Sequence, residues 1–242
     1  MGIKERKERE KGARREEIII AAEKIFFEKG LAQATMDEIA EAAELSKGTL
    51  YLYYKSKEDL YLSVAMKGTE ILEQLFTNVL ASGEPPLKMI ASMGEAYYGY
   101  FKNHRDYFRM YYFFENPQVQ SQVSPEMMDI CQQSDQKIWA LVVSVLQRGI
   151  DAGVLRKDVD PLEAGVMLWS NSNGIMRIMD RQEGYWKGRM GLNLEKIMRE
   201  SNRMLVEGMM TEEARKNMSF LMLEDAGGNE SKNRKRPASP SI

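Results

Sequence analysis

Along nearly the whole chain apolar residues return three and four positions apart, and no stretch sustains the every-other-residue alternation of a half-buried strand. A chain with that single period has to bury helix faces against other helices, so the fold class is all-α. In the first helix Ile18, Ala22, Ile25 and Phe26 share one face, Glu23, Lys24 and Glu28 lie behind it, and Gly30 ends it. Thr35-Met36-Asp37-Glu38 has capping-box spacing, in which the threonine oxygen accepts from the Glu38 backbone and the glutamate reaches back. A short second helix therefore starts at Met36, with Ile39, Ala40 and Ala43 as its buried side.

Leu45-Ser46-Lys47-Gly48 interrupts that helix, and Thr49 to Tyr54 resumes a helical pattern for less than two turns. Ser56-Lys57-Glu58-Asp59 supplies another N-terminal cap and opens a long helix through Leu60, Val64, Ile71, Leu75 and Val79, closed by Pro85-Pro86. Further helices are predicted at about 86–103, 105–114, 125–152, 161–180 and 193–210; Ser124-Pro125 and Asp160-Pro161 each set a cap before a proline at the first helical position. The sequence divides into a flexible basic and acidic arm (1–13), a three-helix helix-turn-helix domain (14–60), a larger helical domain (61–225) and a disordered tail (226–242) rich in Gly, Asn, Ser, Pro and basic residues.

Composition excludes several function classes. The single cysteine, Cys131, rules out an internal disulfide, and with His104 as the one histidine a Cys/His zinc site has no ligands to draw on. No glycine-flanked serine or phosphate-cradling glycine loop is present, so no catalytic residue, cofactor or metal is expected. His104 reads as a helix-boundary residue and Cys131 as core. The first fifteen residues are charged throughout and no apolar run is long enough to span a bilayer, which predicts a cytoplasmic protein without a membrane partner.

The stretch from Thr35 to Lys57 carries the functional signal. Two short helices joined by a sharp turn form a helix-turn-helix, whose second member fits a DNA major groove. Between Leu45 and Lys57 stand Lys47, Lys55 and Lys57 and no acid, although the whole chain has a net charge of -2. Leu50 and Tyr54, four apart, face Ile39 and the first helix, which leaves Lys47, Thr49, Tyr51 and Tyr53 outside. Outward tyrosines suit a surface that gives O–H groups to phosphates and ring edges to thymine methyls. Ser46 and Gly48 let the helix N-terminus come close to a phosphate.

The run from Thr35 through Ala43, then Leu45-Ser-Lys-Gly-Thr-Leu-Tyr-Leu-Tyr-Tyr-Lys-Ser-Lys-Glu-Asp-Leu60, closely resembles the DNA-binding signature of the tetracycline-repressor (TetR) family, and Ala22, Phe26 and Gly30-Leu31 match that family's first helix. The resemblance covers about residues 14 to 62. It implies a homodimer on a near-palindromic operator, with a variable helical domain that binds a small-molecule effector. Carried over by position, Thr35 caps the second helix against a phosphate and Ser46, Lys47, Gly48 and Thr49 open the recognition helix. Tyr51 is then the phosphate-binding tyrosine, Tyr53 a groove or backbone contact, and Lys57 a phosphate clamp. Tyr54 takes the place of a buried phenylalanine. The sequence departs from the family at Glu44, where glycine is usual.

Aromatic residues crowd the helices at 86–103 and 105–114, and 18 methionines add adaptable apolar surface. Met93, Tyr97, Phe101, Phe108, Tyr111 and Tyr112 are candidate ligand-binding residues, with Trp139, Trp169 and Asn173 as opposite walls and anchors. By resemblance, the last two long helices pair with their copies through Val166, Met167, Trp169, Ile197, Met204 and Leu205, and an apolar or aromatic ligand releases a repressor from its operator. Two other readings stay open: a dimeric ligand-binding protein without DNA binding, which Glu44 favours, and, behind it, a helical enzyme using Glu95 and Glu115.

Overall fold

The computed structural model describes residues 2–217. Its helices are α1 (Ile3–Gln33), α2 (Met36–Ala42), α3 (Lys47–Tyr53), α4 (Lys57–Ala81), α5 (Pro86–Asn103), α6 (Arg105–Phe114), α7 (Pro117–Gln120), α8 (Pro125–Asp151), α9 (Pro161–Glu183) and α10 (Leu194–Met209), with a π-helical turn at Gly184–Arg189. There is no strand among the described residues, only an isolated antiparallel bridge between Leu155 and Met210. No described helix is long and apolar enough to cross a membrane. The expected tail, 226–242, lies outside the described residues.

Where the sequence reading places a flexible arm, α1 is already helical from Ile3. Local pairs account for the extension: the Gly2 N–H donates to Glu5 at 2.8 Å, Arg6 pairs with Glu10 at 2.8 Å and Arg14 with Glu17 at 2.7 Å. The helix breaks at Gly30, whose φ of 69° is a left-handed conformation that glycine adopts without strain. The short helix α7 and the π-helical turn are both absent from the sequence reading. Asn116 caps α7, its side chain accepting from the Gln118 N–H, and a four-residue helix is too short to show a period.

The chain divides into two compact units, one taking in the chain up to Gly83 with Ala91–Val142, the other Glu84–Ile90 and the chain from Val143 onward, so the division falls within α5 and α8. In the first unit one apolar core runs from Ile18, Ala22 and Phe26 of α1 through Ile39, Leu50, Leu60 and Val64 to Met110, Phe114, Val119 and Cys131. The helix-turn-helix thus shares its core with α6, α7 and the start of α8, and the core crosses the boundary at residue 60 drawn from sequence. Phe26 meets Tyr61 edge-on at 5.1 Å, and Phe27 meets Tyr107 at 5.1 Å. Glu23 accepts from the Tyr107 hydroxyl at 2.6 Å, and Lys67 pairs with Glu16.

In the second unit α9 lies on α10 around the buried Met176 and Met198. The Asn171 amide donates to Ser201 Oγ at 2.9 Å and Asn202 Oδ1 at 2.7 Å, and Asn202 donates to Ser172 Oγ at 2.9 Å. These bonds satisfy polar groups that a helix interface would otherwise desolvate. As expected, Asp160 caps α9, accepting from the N–H groups of Leu162 and Glu163 with Pro161 in the first turn.

Gly68 fixes how closely α6 approaches α4. A Cβ there would stand 2.6 Å from Tyr107 Cβ and 2.5 Å from the Tyr100 hydroxyl. Both neighbours are held by rings around them, so they have little room to retreat. Gly68→Ala should therefore lower stability by about 1–3 kcal/mol, as overpacking of a filled core does, measured as a shift of the urea midpoint. An unchanged midpoint would mean that α4 and α6 are not in tight contact.

Candidate nucleic-acid interface

The geometry of α2 and α3 follows from their caps. Thr35 Oγ1 accepts from the Glu38 N–H at 3.3 Å while the Glu38 carboxylate accepts from the Thr35 N–H at 3.0 Å, the reciprocal pair expected from spacing. Lys29 adds an ion pair to Glu38 at 2.6 Å, and this bond, ahead of those from Thr35, holds the Glu38 carboxyl below the usual carboxylate range. Ser46 caps α3, its Oγ accepting from the Thr49 N–H at 3.1 Å. Both threonine and serine at these caps thus hold backbone N–H groups that face solvent.

Leu50 is fully buried and Tyr54 is 8% exposed, so α3 is pinned by its inward face as the register predicts. Ser46, Lys47, Gly48 and Tyr51 are exposed and Thr49 is half-buried. A Cβ on Gly48 would meet only Ser46 Oγ, at 3.9 Å, so nothing in the chain crowds that turn. Tyr53 differs from expectation: it is half-buried and packs on the core, because three positions from Leu50 its ring swings toward the same side. Leu52, which the sequence reading passes over, is the most exposed large apolar side chain of the helix at 82%. Its signal was present in the register, since a residue two from Leu50 and two from Tyr54 lies opposite both.

The stretch from Leu45 to Lys57 contains no acid, but the fold brings acids to it. Lys47 pairs with Asp37 of α2 at 2.8 Å, a bond that raises the Lys47 pKa, and Lys55 pairs with Glu126 of α8 at 3.1 Å. Lys57, expected to grip a phosphate, donates to the Ala34 carbonyl at 2.9 Å and ties the start of α4 to the end of α1. The turn between α3 and α4 is anchored further. Buried Asp59 accepts from the Ser124 N–H at 2.7 Å, and Ser56 donates to the Gln122 carbonyl at 3.4 Å.

The aromatic cluster is brought together in the first unit. Phe101 and Phe108 meet at 4.8 Å, Phe108 and Tyr112 at 4.8 Å, Tyr111 and Tyr112 at 6.2 Å, and Tyr97 meets Phe76 at 6.3 Å. Met93, Phe101 and Phe108 are buried, and Tyr97, Tyr111, Tyr112 and Trp139 half-buried. Burial pushes the phenols of Tyr100 and Tyr111 well above their ordinary value, and the thiol of Cys131 up to about 11. Trp169, half-buried, and Asn173, buried, belong to the second unit. Among the described residues no group of three or more His, Cys, Asp or Glu side chains is placed to hold a metal ion.

A sequence profile described as "Bacterial regulatory proteins, tetR family" matches residues 18–64, the segment that builds α2, α3 and the first turns of α4. Over those residues the chain is similar to this family. It is similar to the transcriptional activator FasR of Mycolicibacterium smegmatis, 32% identical over 115 residues, 46% of this chain and 52% of that protein. It thus spans about half the length of that relative. It is also similar to the repressor KstR2 of the same organism, 26% identical over 148 residues, 61% of this chain and 70% of that protein. Among solved structures, FadR of Thermus thermophilus, a TetR family repressor in complex with lauroyl-CoA, matches with a TM-score of 0.59 at 23% identity, covering 94% of this chain and 100% of that one.

The departure from the family at Glu44 is carried by the backbone. Among the described residues Glu44 is the one non-glycine residue with positive φ, at 55°, and Leu45 N–H closes the turn on the Ala40 carbonyl at 2.8 Å. The turn is therefore built in left-handed form with a side chain where glycine fits more cheaply, at a cost of about 1 kcal/mol. Glu44→Gly should raise stability by about 0–0.6 kcal/mol in urea titration, net of the extra freedom glycine gives the unfolded chain. A loss of stability would show that the Glu44 side chain makes a compensating contact.

Proposed function

We propose that the chain is a sequence-specific DNA-binding transcriptional regulator that works as a homodimer on a near-palindromic operator and leaves it when an apolar or aromatic small molecule binds. The observation that carries this reading is the division of α3: Leu50 and Tyr54 sink into the core while Lys47, Tyr51 and Leu52 stand in solvent. An 82% exposed leucine and a 45% exposed tyrosine on one short helix expose apolar surface that costs free energy in water and fits thymine methyls and sugar edges in a major groove. Residues 14–60 form the DNA-reading part and 61–225 the sensing and pairing part. Within the DNA-reading part, Thr35, Ser46, Gly48 and Tyr51 meet phosphates, Thr49 and Leu52 meet base edges, and Tyr53 supports the helix from its half-buried position.

The ion pairs on Lys47 and Lys55 do not oppose this role. Both are well exposed, with side-chain exposures of 54% and 66% in the first pair and 70% and 71% in the second. Such surface pairs are worth about 0–1 kcal/mol, so a phosphate can take the place of the carboxylate. Lys57 can hold the Ala34 carbonyl and still lend its charge to the backbone of the duplex.

Pairing of two copies is supported by the apolar side chains that α9 and α10 leave in solvent: Leu162, Val166, Met167, Ile197 and Met204. A dimer that sets its recognition helices about 34 Å apart reads two consecutive major grooves. An effector for the aromatic cluster of α5 and α6 would be apolar in its body, as the lauroyl chain carried by the FadR ligand is.

The test begins with a duplex selected by the protein from a random pool. Tyr51→Phe should weaken binding about threefold to tenfold on every sequence, the effect of one lost hydrogen bond to phosphate. Leu52→Gln should instead change the base preferred at one position of each half-site, read by fluorescence anisotropy on single-base variants. Equal binding by both variants and the parent would remove α3 from the interface.

A further inference from the structure

The sequence reads residues 4 to 17 as mixed charge, but the helix sorts them. Every residue from Lys4 to Glu17 is exposed on the first turns of α1. Lys4, Lys7, Lys11 and Arg15 follow one another at spacings of three and four, which places them on one face. The same spacing leads directly into Ile18, Ala22 and Ile25, the face by which α1 packs on the helix-turn-helix. The stripe therefore continues the face that enters the core shared with Leu50 of α3. Arg15 opposes the upward push that burial gives the Tyr54 phenol, which puts it near the residue that closes α3.

Four of the five acids of this segment are engaged elsewhere, while Glu8, four residues after Lys4, stands at the edge of the stripe. Glu5 accepts from the Gly2 N–H, Glu10 pairs with Arg6, Glu16 with Lys67 and Glu17 with Arg14. Among the described residues no ion pair is formed by Lys4, Lys7 or Lys11. We propose that Lys4, Lys7, Lys11 and Arg15 form a second phosphate-binding surface that lies along the backbone of the duplex read by α3. This rests on the DNA-binding reading above. From Lys4 to Arg15 the stripe spans about 16 Å, at about 1.5 Å per residue. A duplex offers one negative charge per about 1.7 Å of its axis, so several phosphates lie within reach of a stripe that long. A membrane surface suits the segment less, because no large apolar residue between Lys4 and Glu17 is available to enter a bilayer.

The experiment compares the parent with the triple variant Lys4→Gln/Lys7→Gln/Lys11→Gln by fluorescence anisotropy on the selected duplex, over roughly 50 to 300 mM KCl. The expected result is a slope of log affinity against log salt that is shallower by about 2 to 3, at about 0.9 per lost phosphate contact, with the preference over a scrambled duplex kept. Circular dichroism checks that the helix survives. Should it unwind, the double variant Lys7→Gln/Lys11→Gln serves instead, with an expected change of about 2. An unchanged slope with normal binding overturns this proposal alone. A parent that binds no duplex overturns it together with the reading it rests on. Loss of binding only to phosphatidylglycerol vesicles, with the DNA slope intact, overturns it in favour of a lipid surface.

Discussion

A seven-residue helix such as α3 cannot hold itself in water, since the cost of nucleating a helix is recovered only over a dozen or more residues. What keeps α3 formed is the burial of Leu50 and Tyr54 among Ile39, Ile18 and Leu60. Burying side chains of that size contributes about 1.5–3 kcal/mol each, enough to fix a short helix and, with it, the direction of everything on its far side. The exposure of Tyr51 and Leu52, the open turn at Gly48 and the solvent-facing cap at Ser46 are consequences of that one attachment. A polar residue at position 50 would remove the reason for α3 to exist.

The same core ties the helix-turn-helix to the aromatic helices. Leu60 and Val64 of α4 belong to one cluster with Met110 and Phe114 of α6 and Cys131 of α8. Close packing of that kind transmits displacement rather than absorbing it. The polar links from Asp59 to Ser124 and from Lys55 to Glu126 join the start of α4 to the segment that opens α8. A shift of α6 and the start of α8 therefore has a direct mechanical route to the helix-turn-helix, without any hinge between separate cores.

Much of this was legible in the sequence, for a physical reason: caps and registers are local. Thr35 with Glu38, Ser56 and Asp160 each announce a helix start because a side-chain oxygen a few residues away satisfies a backbone N–H, and each is found there, whereas Ser46, read as part of an interruption, proves to be the cap of α3. Glu44 stood out because the family that this segment resembles usually has glycine there, and the backbone is left-handed at that position. What escaped was the product of distant partners. Asp37 and Glu126 reach Lys47 and Lys55 through the fold, Lys57 is drawn to a carbonyl at the end of α1, and Gly68 matters only because Tyr100 and Tyr107 arrive against it. The charged first turns of α1 looked like a neutralised arm because opposite charges alternate along the chain, while helical spacing carries every acid but Glu8 away from the basic stripe.

The central claim is that the outward face of α3 is the surface that enters DNA. Hydrogen exchange read by mass spectrometry, on the protein with and without its selected duplex, tests it at peptide resolution. The account predicts that protection gained on binding is concentrated between Thr35 and Lys57, greatest over Ser46 to Tyr53. Protection confined to the faces of α9 and α10, with α3 exchanging as fast in the complex as alone, would contradict it.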